Sequence, residues 1–292
     1  MASTDGPRGC GKARMNPLAE VAPGVLVRTS DLYRTTSTAI AGEAGGCLLI
    51  DPAVTVADLR SLAAALAASG LRPAAGFATH AHWDHVLWSA AFGDAPRYAT
   101  DRAVAAAERE RSALIGSLAA EAPGHELDLV ARLTPLGAAA DAGTAFAAAP
   151  HGHGGSPRSA FQALPWDGPR TLVLAHDGHA PGHGAVFVPE AGLLVAGDMC
   201  SDIETPLLDL GGADPVGDYL AALERLAGLD VRLVIPGHGT PGDGAEFRRR
   251  VEADLQYLAA LERGADAADQ RLAAGGWLLA EHRRQLQFAR SR

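Results

Sequence analysis

Cysteine is scarce in this sequence, since the chain of 292 residues contains only three. Cys10, Cys47 and Cys200 are too widely spaced to indicate a disulfide framework or a cysteine-based zinc site. Cys200 follows closely after Asp198, but a small buried side chain is the simpler interpretation because free cysteine is commonly buried. Any metal chemistry must therefore rely on other ligands.

Long apolar segments and excess positive charge are also lacking. No apolar run approaches the ~20 residues that cross a membrane, and residues 1–14 lack the apolar centre of a secretion signal. We therefore expect a cytoplasmic protein that binds no membrane, with a disordered tail over residues 1–16. Lysine and arginine total 25 against 34 acidic residues, a net charge of −9. This balance argues against nucleic-acid binding and leaves a small molecule as the expected partner.

The sequence does contain alternating strand and helix patterns in both halves. Leucines at helical spacing near residues 59–66 and an alanine-rich stretch over residues 102–120 predict helices in the first half. Apolar runs that predict strands lie at residues 25–27, 38–40, 47–50, 74–78, 171–175, 185–188, 193–196 and 231–235. The repeated strand–helix order predicts an α/β protein.

The most informative stretch is residues 79–85, which read Thr-His-Ala-His-Trp-Asp-His. It follows a predicted buried strand, and α/β proteins build ligand sites in the loops after such strands. His80 and His82 would project to the same side of an extended chain, whereas Asp84 and His85 follow a turn and can face a second point. Packing alone does not explain the cluster, since burying an unpaired imidazole costs about 1–3 kcal/mol. Imidazole and carboxylate are usual zinc donors, so the stretch predicts a two-metal site.

This His-x-His-x-Asp-His pattern resembles the metallo-β-lactamase fold superfamily. Members of that family carry a later histidine in a Gly–His turn, a bridging aspartate after a strand, and a last histidine. His183, Asp198 and His238 occur in that order, each directly after a glycine. The resemblance covers roughly residues 25–240. It implies a single domain over residues 17–292, built as a four-layer αββα sandwich of two mixed sheets with helices outside.

The resemblance also implies which residues bind metal. The ligands of the first ion would be His80, His82 and His183. Those of the second ion would be Asp84, His85 and His238. The carboxylate of Asp198 would bridge the two ions. Asp84 and Asp198 are the carboxylates expected to act in catalysis. Two zinc ions are implied, and iron or manganese stays open because carboxylates also suit harder metals.

Metal-activated water would make the protein a hydrolase of a small ester, lactone or thioester. Asp198 at the bridging position favours the branch of the family that includes lactonases and thioesterases of the glyoxalase II type over β-lactamases proper. A phosphodiesterase is one alternative, although it would need basic patches that the sequence lacks. A mononuclear iron oxidoreductase of the persulfide dioxygenase type is another. The fold alone does not select among them.

Several residues outside the ligand set carry weaker expectations. Asp51 resembles the family's strand-end aspartate that supports the site without binding metal, and a turn-forming Asp–Pro pair is an equal alternative. Trp83 and Trp88 are candidates for a wall of the substrate pocket, with core packing as the alternative. By position, His176 and His179 are expected to lie outside the set of metal ligands.

The middle and the end of the chain are less well defined. Residues 121–168 show little periodicity and predict an insertion between the halves, within which His151 and His153 are interpreted as flexible surface. Residues 242–290 predict C-terminal helices, with a last segment from about 265 to 289. Their arginines would form a solvated face or, alternatively, a small cap at a substrate's polar end. A homodimer is a reasonable expectation for such an enzyme.

Overall fold

Two β-sheets form the centre of the molecule. The computed structural model describes residues 16–52, 54–137 and 161–292. The strands of the first sheet are β1 (Ala19–Ala22), β2 (Val25–Thr29), β3 (Thr36–Ala41), β4 (Gly46–Ile50), β5 (Arg72–Phe77), β6 (Arg97–Ala99) and β7 (Thr134–Pro135). Those of the second are β8 (Gln162–Ala163), β9 (Leu172–His176), β10 (His183–Val188), β11 (Leu193–Gly197), β12 (Leu233–Pro236) and β13 (Gly242–Asp243).

Both sheets are mixed, and some of their parallel strands end at the site described below. In the first sheet the strands lie in chain order, and β4 to β7 are parallel. The second sheet has the order β13-β12-β11-β10-β9-β8, in which β11 and β12 are parallel. The carboxyl ends of parallel strands meet at one edge of a sheet, so the loops after β4, β5, β11 and β12 can converge there.

Helices cover the outer face of each sheet. They are α1 (Val56–Ala68), α2 (Asp101–Glu121), α3 (Pro215–Ala227), α4 (Gly244–Glu262) and α5 (Gly276–Arg290). Leu59, Leu62 and Leu66 recur at helical spacing in α1 and pack with Leu49 of β4. Helices α3, α4 and α5 pack with the outward side chains of the second sheet, such as Leu194.

The inner faces of the two sheets share one apolar core. Ile50 and Phe77 of the first sheet pack with Val186, Val195 and Ile235 of the second, and all five are almost fully buried. This core and the two outer helical layers make four layers in the order α, β, β, α. The predicted αββα sandwich is therefore confirmed.

Local sequence signals set the starts of the helices. Thr55 precedes α1 and forms a capping box, in which the side chains of Thr55 and Asp58 each accept the other's backbone N–H. Helix α4 starts after Asp243, which accepts N–H groups of the first turn. Glu246 in that turn accepts hydrogen bonds from Arg249 and Arg250. These arginines, Arg249 first, lower the pKa of Glu246 to about 2.

The C-terminal part differs from the prediction of one helical segment over residues 265–289. A 3₁₀ turn spans Gln270–Ala274, and α5 starts only at Gly276. Gly275 and Gly276 have φ values of +69° and +67°, which glycine adopts without the steric cost that other residues meet. This glycine pair therefore breaks the helix.

Some predicted features lie outside the described residues. These are residues 1–15 of the predicted tail and the central part of the predicted insertion, with His151 and His153. On either side of these residues, β7 forms the edge of the first sheet, paired with β6, and β8 forms the edge of the second, paired with β9. Among the described residues, no helix is long and apolar enough to span a membrane.

Candidate metal centre

Seven side chains with nitrogen or oxygen donors meet where the two sheets end. His80, His82, Asp84 and His85 lie in the loop after β5. Asp198 directly follows β11, His238 follows β12, and His179 lies in the turn between β9 and β10. The donor atoms form two groups, each within 4.8 Å: His80, His82, His179 and Asp198, and then Asp84, His85 and His238. Both halves of the fold therefore contribute to one site.

The first group is formed by three imidazoles and a carboxylate. His82 Nδ1 lies 2.9 Å from His80 Nε2 and 3.1 Å from His179 Nε2. Asp198 Oδ2 lies 3.5 Å from His80 Nε2 and 3.3 Å from His179 Nε2. His80 and His179 are buried, whereas His82 is exposed, so one side of this group faces solvent.

The second group is adjacent and shares Asp198 with the first. His85 Nε2 and His238 Nε2 lie 3.2 Å apart. Asp84 Oδ2 lies 3.5 Å from the former nitrogen and 3.4 Å from the latter. Asp198 Oδ1 lies 3.3 Å from His85 Nε2, and Asp198 Oδ2 lies 3.3 Å from His238 Nε2. The Asp198 carboxylate thus lies between the two groups.

Asp51 and Thr79 determine which nitrogen of two histidines carries a proton. Asp51 accepts hydrogen bonds from the Thr79 N–H at 2.8 Å and the Thr79 hydroxyl at 2.7 Å, and it lies 2.9 Å from His85 Nδ1. A carboxylate only accepts, so His85 Nδ1 donates to it. The Thr79 proton goes to Asp51, so Thr79 Oγ1 accepts from His80 Nδ1 at 3.0 Å. In both histidines Nε2 is therefore the available donor atom for a metal.

Backbone carbonyl groups orient two further histidines in the same way. His179 Nδ1 lies 2.9 Å from the Leu207 carbonyl oxygen, and His238 Nδ1 lies 2.9 Å from the Tyr33 carbonyl oxygen. A carbonyl oxygen cannot donate, so each Nδ1 carries the proton and each Nε2 presents a lone pair to the centre. Four imidazoles are therefore fixed in the tautomer that binds a metal through Nε2.

Three observations test whether these residues fit metal ions. The Nε2 atoms of His80 and His179 carry no proton, and both lie within 3.1 Å of His82 Nδ1. His82 Nδ1 can donate a proton to only one of them, so the other faces it with an unshared lone pair. His85 Nε2 and His238 Nε2 also lie only 3.2 Å apart, although the Nδ1 of each ring already donates to another group. Asp198 Oδ1 is buried and accepts no hydrogen bond among the described residues. A cation in each group would satisfy all of these atoms, so the residues fit two divalent ions.

The electrostatic balance differs between the two groups. Burial, with repulsion from His82, lowers the pKa of His179 to about 4. Burial also lowers the pKa of His85, but attraction to surrounding carboxylates, chiefly Asp198, outweighs it and raises the pKa to about 9. Burial raises the pKa of Asp198, yet nearby histidines, chiefly His238, hold it well below its usual value. Metal binding to the second group must therefore release protons.

His183 lies outside both groups, although the resemblance assigned it to the first metal. Its Nε2 accepts the backbone N–H of Asp198 at 3.1 Å, and its Nδ1 lies 3.1 Å from His176 Nε2. His183 therefore holds the backbone of the shared aspartate, and His179 occupies the place assigned to it. Both histidines directly follow a glycine, so the Gly–His turn alone does not separate them. His183 starts β10 in the structure, whereas the strand was predicted only from residue 185, so the sequence offered no signal that separates the two histidines.

The structure places the two tryptophans of the predicted pocket wall differently. Trp88 is 3% exposed, packs with Phe92 in the core, and donates its indole N–H to the Gly93 carbonyl oxygen. Trp83 is partly buried and makes an edge contact with Tyr33 at 5.9 Å between ring centres. Among the described residues, neither lines the cavity of about 610 Å³ that adjoins His82 and His179. Sequence reasoning missed the tryptophan that does line it, at position 277.

Comparison with known proteins agrees with this geometry. A family model described as the metallo-beta-lactamase superfamily matches residues 31–238. The chain belongs to this superfamily. A metallo-beta-lactamase family protein of Thermus thermophilus, TTHA1429, is 25% identical with a TM-score of 0.59, and the match covers 92% of this chain and 91% of that protein.

Two curated relatives come from Bacillus subtilis (strain 168). The chain is 36% identical over 76 residues to the probable metallo-hydrolase YqjP, which is 24% of each chain. It is 34% identical over 119 residues to the probable metallo-hydrolase YflN, covering 35% of this chain and 44% of that one. The chain thus spans less than half the length of these relatives.

Proposed function

We propose that this protein is a dinuclear metal-dependent hydrolase of a small ester, lactone or thioester. The observation that carries the proposal is the shared position of Asp198 between two complete donor groups. His80, His82 and His179 would hold one ion, and Asp84, His85 and His238 the other. The names of both curated relatives, probable metallo-hydrolases, support the same reaction class.

Imidazole and carboxylate ligands suit two zinc ions, with iron or manganese as the alternatives to be tested. Such ions, when bound, lower the pKa of water towards neutrality and polarise a carbonyl oxygen. The protein's own contribution is orientation. Asp198 neutralises charge at the centre, and Asp51 holds the His85 ring. The exposed His82 marks the side on which a substrate can approach.

Two other reactions on this fold are distinguished by the metal and the substrate. A phosphodiesterase would cleave a phosphate diester, and its binding site would need excess positive charge. A mononuclear iron oxidoreductase would use one metal and consume oxygen. The second donor group, in which Asp84, His85 and His238 are all present, favours two metals over one.

The test combines metal analysis with a substrate panel. Protein purified without added metal is analysed for metal content and assayed with an ester, a lactone, a thioester and bis-nitrophenyl phosphate, while oxygen consumption is recorded. The Asp198→Ala variant removes the shared carboxylate, and His125→Ala serves as control because His125 lies outside both donor groups.

We expect about two metals per chain and turnover of a carbonyl substrate, with both reduced together in Asp198→Ala and unchanged in His125→Ala. Full activity in Asp198→Ala would overturn the role of the shared carboxylate. About one iron per chain with oxygen consumption and no hydrolysis would replace the proposal by the oxidoreductase. Turnover of the phosphate diester alone would favour the phosphodiesterase.

A further inference from the structure

A cavity of about 610 Å³ lies next to the first donor group. Its lining includes the ligands His82 and His179, and also Leu207, whose carbonyl oxygen accepts the His179 Nδ1 proton at 2.9 Å. Its volume falls within the range of small-molecule sites. A molecule bound there would lie directly against the proposed metal centre.

One face of α5 forms part of the cavity wall. Trp277, Glu281 and Arg284 line the cavity and follow the spacing of four and three residues that places side chains on one helix face. Neighbouring positions on the helix, such as Leu278 and Leu286, are buried in the core. Trp277 is 55% exposed, the highest value among the large apolar residues described as exposed. A bound molecule could cover this indole.

Buried hydrogen bonds fix α5 to the loop that forms the neighbouring wall. Gln285 is fully buried, and its side-chain oxygen accepts the Leu208 N–H at 2.8 Å. Its amide nitrogen donates to the Pro206 carbonyl oxygen at 3.0 Å and to the Tyr257 hydroxyl at 3.0 Å. The apolar wall around Leu207 is therefore preformed, so little ordering is required when a ligand binds.

Away from the proposed metal ions, the charged side chains of the cavity carry no surplus positive charge for an anion. The lining contains two positive and three negative side chains: Arg109 and Arg284, and Glu110, Glu281 and Asp209. Each arginine already has a partner. Arg109 pairs with Glu110 at 2.7 Å, and Arg284 binds Glu281 through two nitrogens, the closer at 2.8 Å. A carboxylate or phosphate would have to displace these partners, whereas a neutral apolar group would not.

We propose that this cavity binds the apolar acyl part of a neutral ester, lactone or thioester, with the chain packed against Trp277. The inference rests on the proposed hydrolase function and specifies its substrate class. The reacting carbonyl would lie at the His82 and His179 end, and the acyl chain would extend along the α5 wall. Trp277 is then a residue that determines specificity by burying methylene groups, each of which changes affinity about threefold to fourfold.

The experiment measures kcat/KM for thioesters with straight acyl chains of two to ten carbons and for a ten-carbon chain that ends in a carboxylate. Wild type is compared with Trp277→Ala and with Leu255→Ala, a matched control whose exposed side chain lies on α4 outside the cavity. The readout is the ratio between the long and the acetyl substrate. Tryptophan fluorescence, compared with that of Trp277→Phe, reports binding of the same molecules independently of turnover.

We expect wild type and Leu255→Ala to prefer the long neutral chain, and Trp277→Ala to lose about tenfold in the ratio. The terminal carboxylate should abolish the preference, and the neutral chain should quench the signal specific to Trp277. Hydrolysis with an unchanged ratio in Trp277→Ala would overturn the inference and leave the hydrolase intact. Absence of hydrolysis of these thioesters and of the ester and lactone in the panel above would remove the hydrolase, and a Trp277 signal that no neutral chain alters would overturn the cavity assignment as well.

Discussion

Gly197 lies between β11 and the shared Asp198, and its replacement by alanine tests how tightly the centre is built. Its φ is +57°, a region that costs a residue with a side chain about 1 kcal/mol. A Cβ would overlap the His183 imidazole and lie 3.1 Å from the Thr79 Cβ. Relieving such contacts in a packed core costs about 1–3 kcal/mol. We therefore expect Gly197→Ala to lower the free energy of unfolding by about 2–4 kcal/mol.

Gly70→Ala is the matched control for this variant. Gly70 has a φ of +72°, but a Cβ there would meet nothing within 4 Å. Only the backbone cost applies, so Gly70→Ala should lower the free energy of unfolding by about 1 kcal/mol. Thermal unfolding and urea titration measure both variants, and metal content should fall only in Gly197→Ala because His183 supports the Asp198 backbone. Equal losses in the two variants, with metal retained in both, would refute the packing argument.

Three further variants test single interactions. Asp51→Asn should reduce metal affinity about 10-fold to 100-fold, since the support of His85 is lost; unchanged affinity in a metal titration would contradict this. Glu246→Gln should destabilise the protein above about pH 5, and the difference in unfolding free energy from wild type should vanish as pH falls towards 2. The reason is that the lowered pKa of Glu246 stabilises the folded protein only while the carboxylate is ionised. A pH-independent difference in urea unfolding would contradict this prediction. Gln285→Leu should lower the free energy of unfolding by about 2–4 kcal/mol in the same assay, because buried partners of Gln285 lose their hydrogen bonds. A decrease below about 1 kcal/mol would contradict this prediction.

Helix and strand positions followed well from local patterns in the sequence. The leucines of α1 and the apolar runs of β10 and β11 lie where their spacing predicted, because each element buries one face or both. The break before α5 was missed, because the positive φ values of Gly275 and Gly276 became visible only in the structure. The arrangement of the elements as an αββα sandwich came from the family resemblance rather than from periodicity.

The details of the site depended on tertiary contacts that no local pattern contains. His179 and His183 share the same glycine context, and only the Leu207 carbonyl and the Asp198 N–H distinguish their roles. Trp277 is distant in sequence from the motif at residues 79–85, and it reaches the cavity only because α5 packs beside the loop after β11. Such residues could be recognised only once the fold was known.

The proposed hydrolase depends above all on two bound metal ions, one of which is held by His179. The most direct test is elemental analysis of wild type, His179→Ala and His125→Ala, each purified without added metal. We expect about two metals per chain in wild type and in His125→Ala, and no more than about one in His179→Ala. Two metals retained in His179→Ala would contradict this assignment.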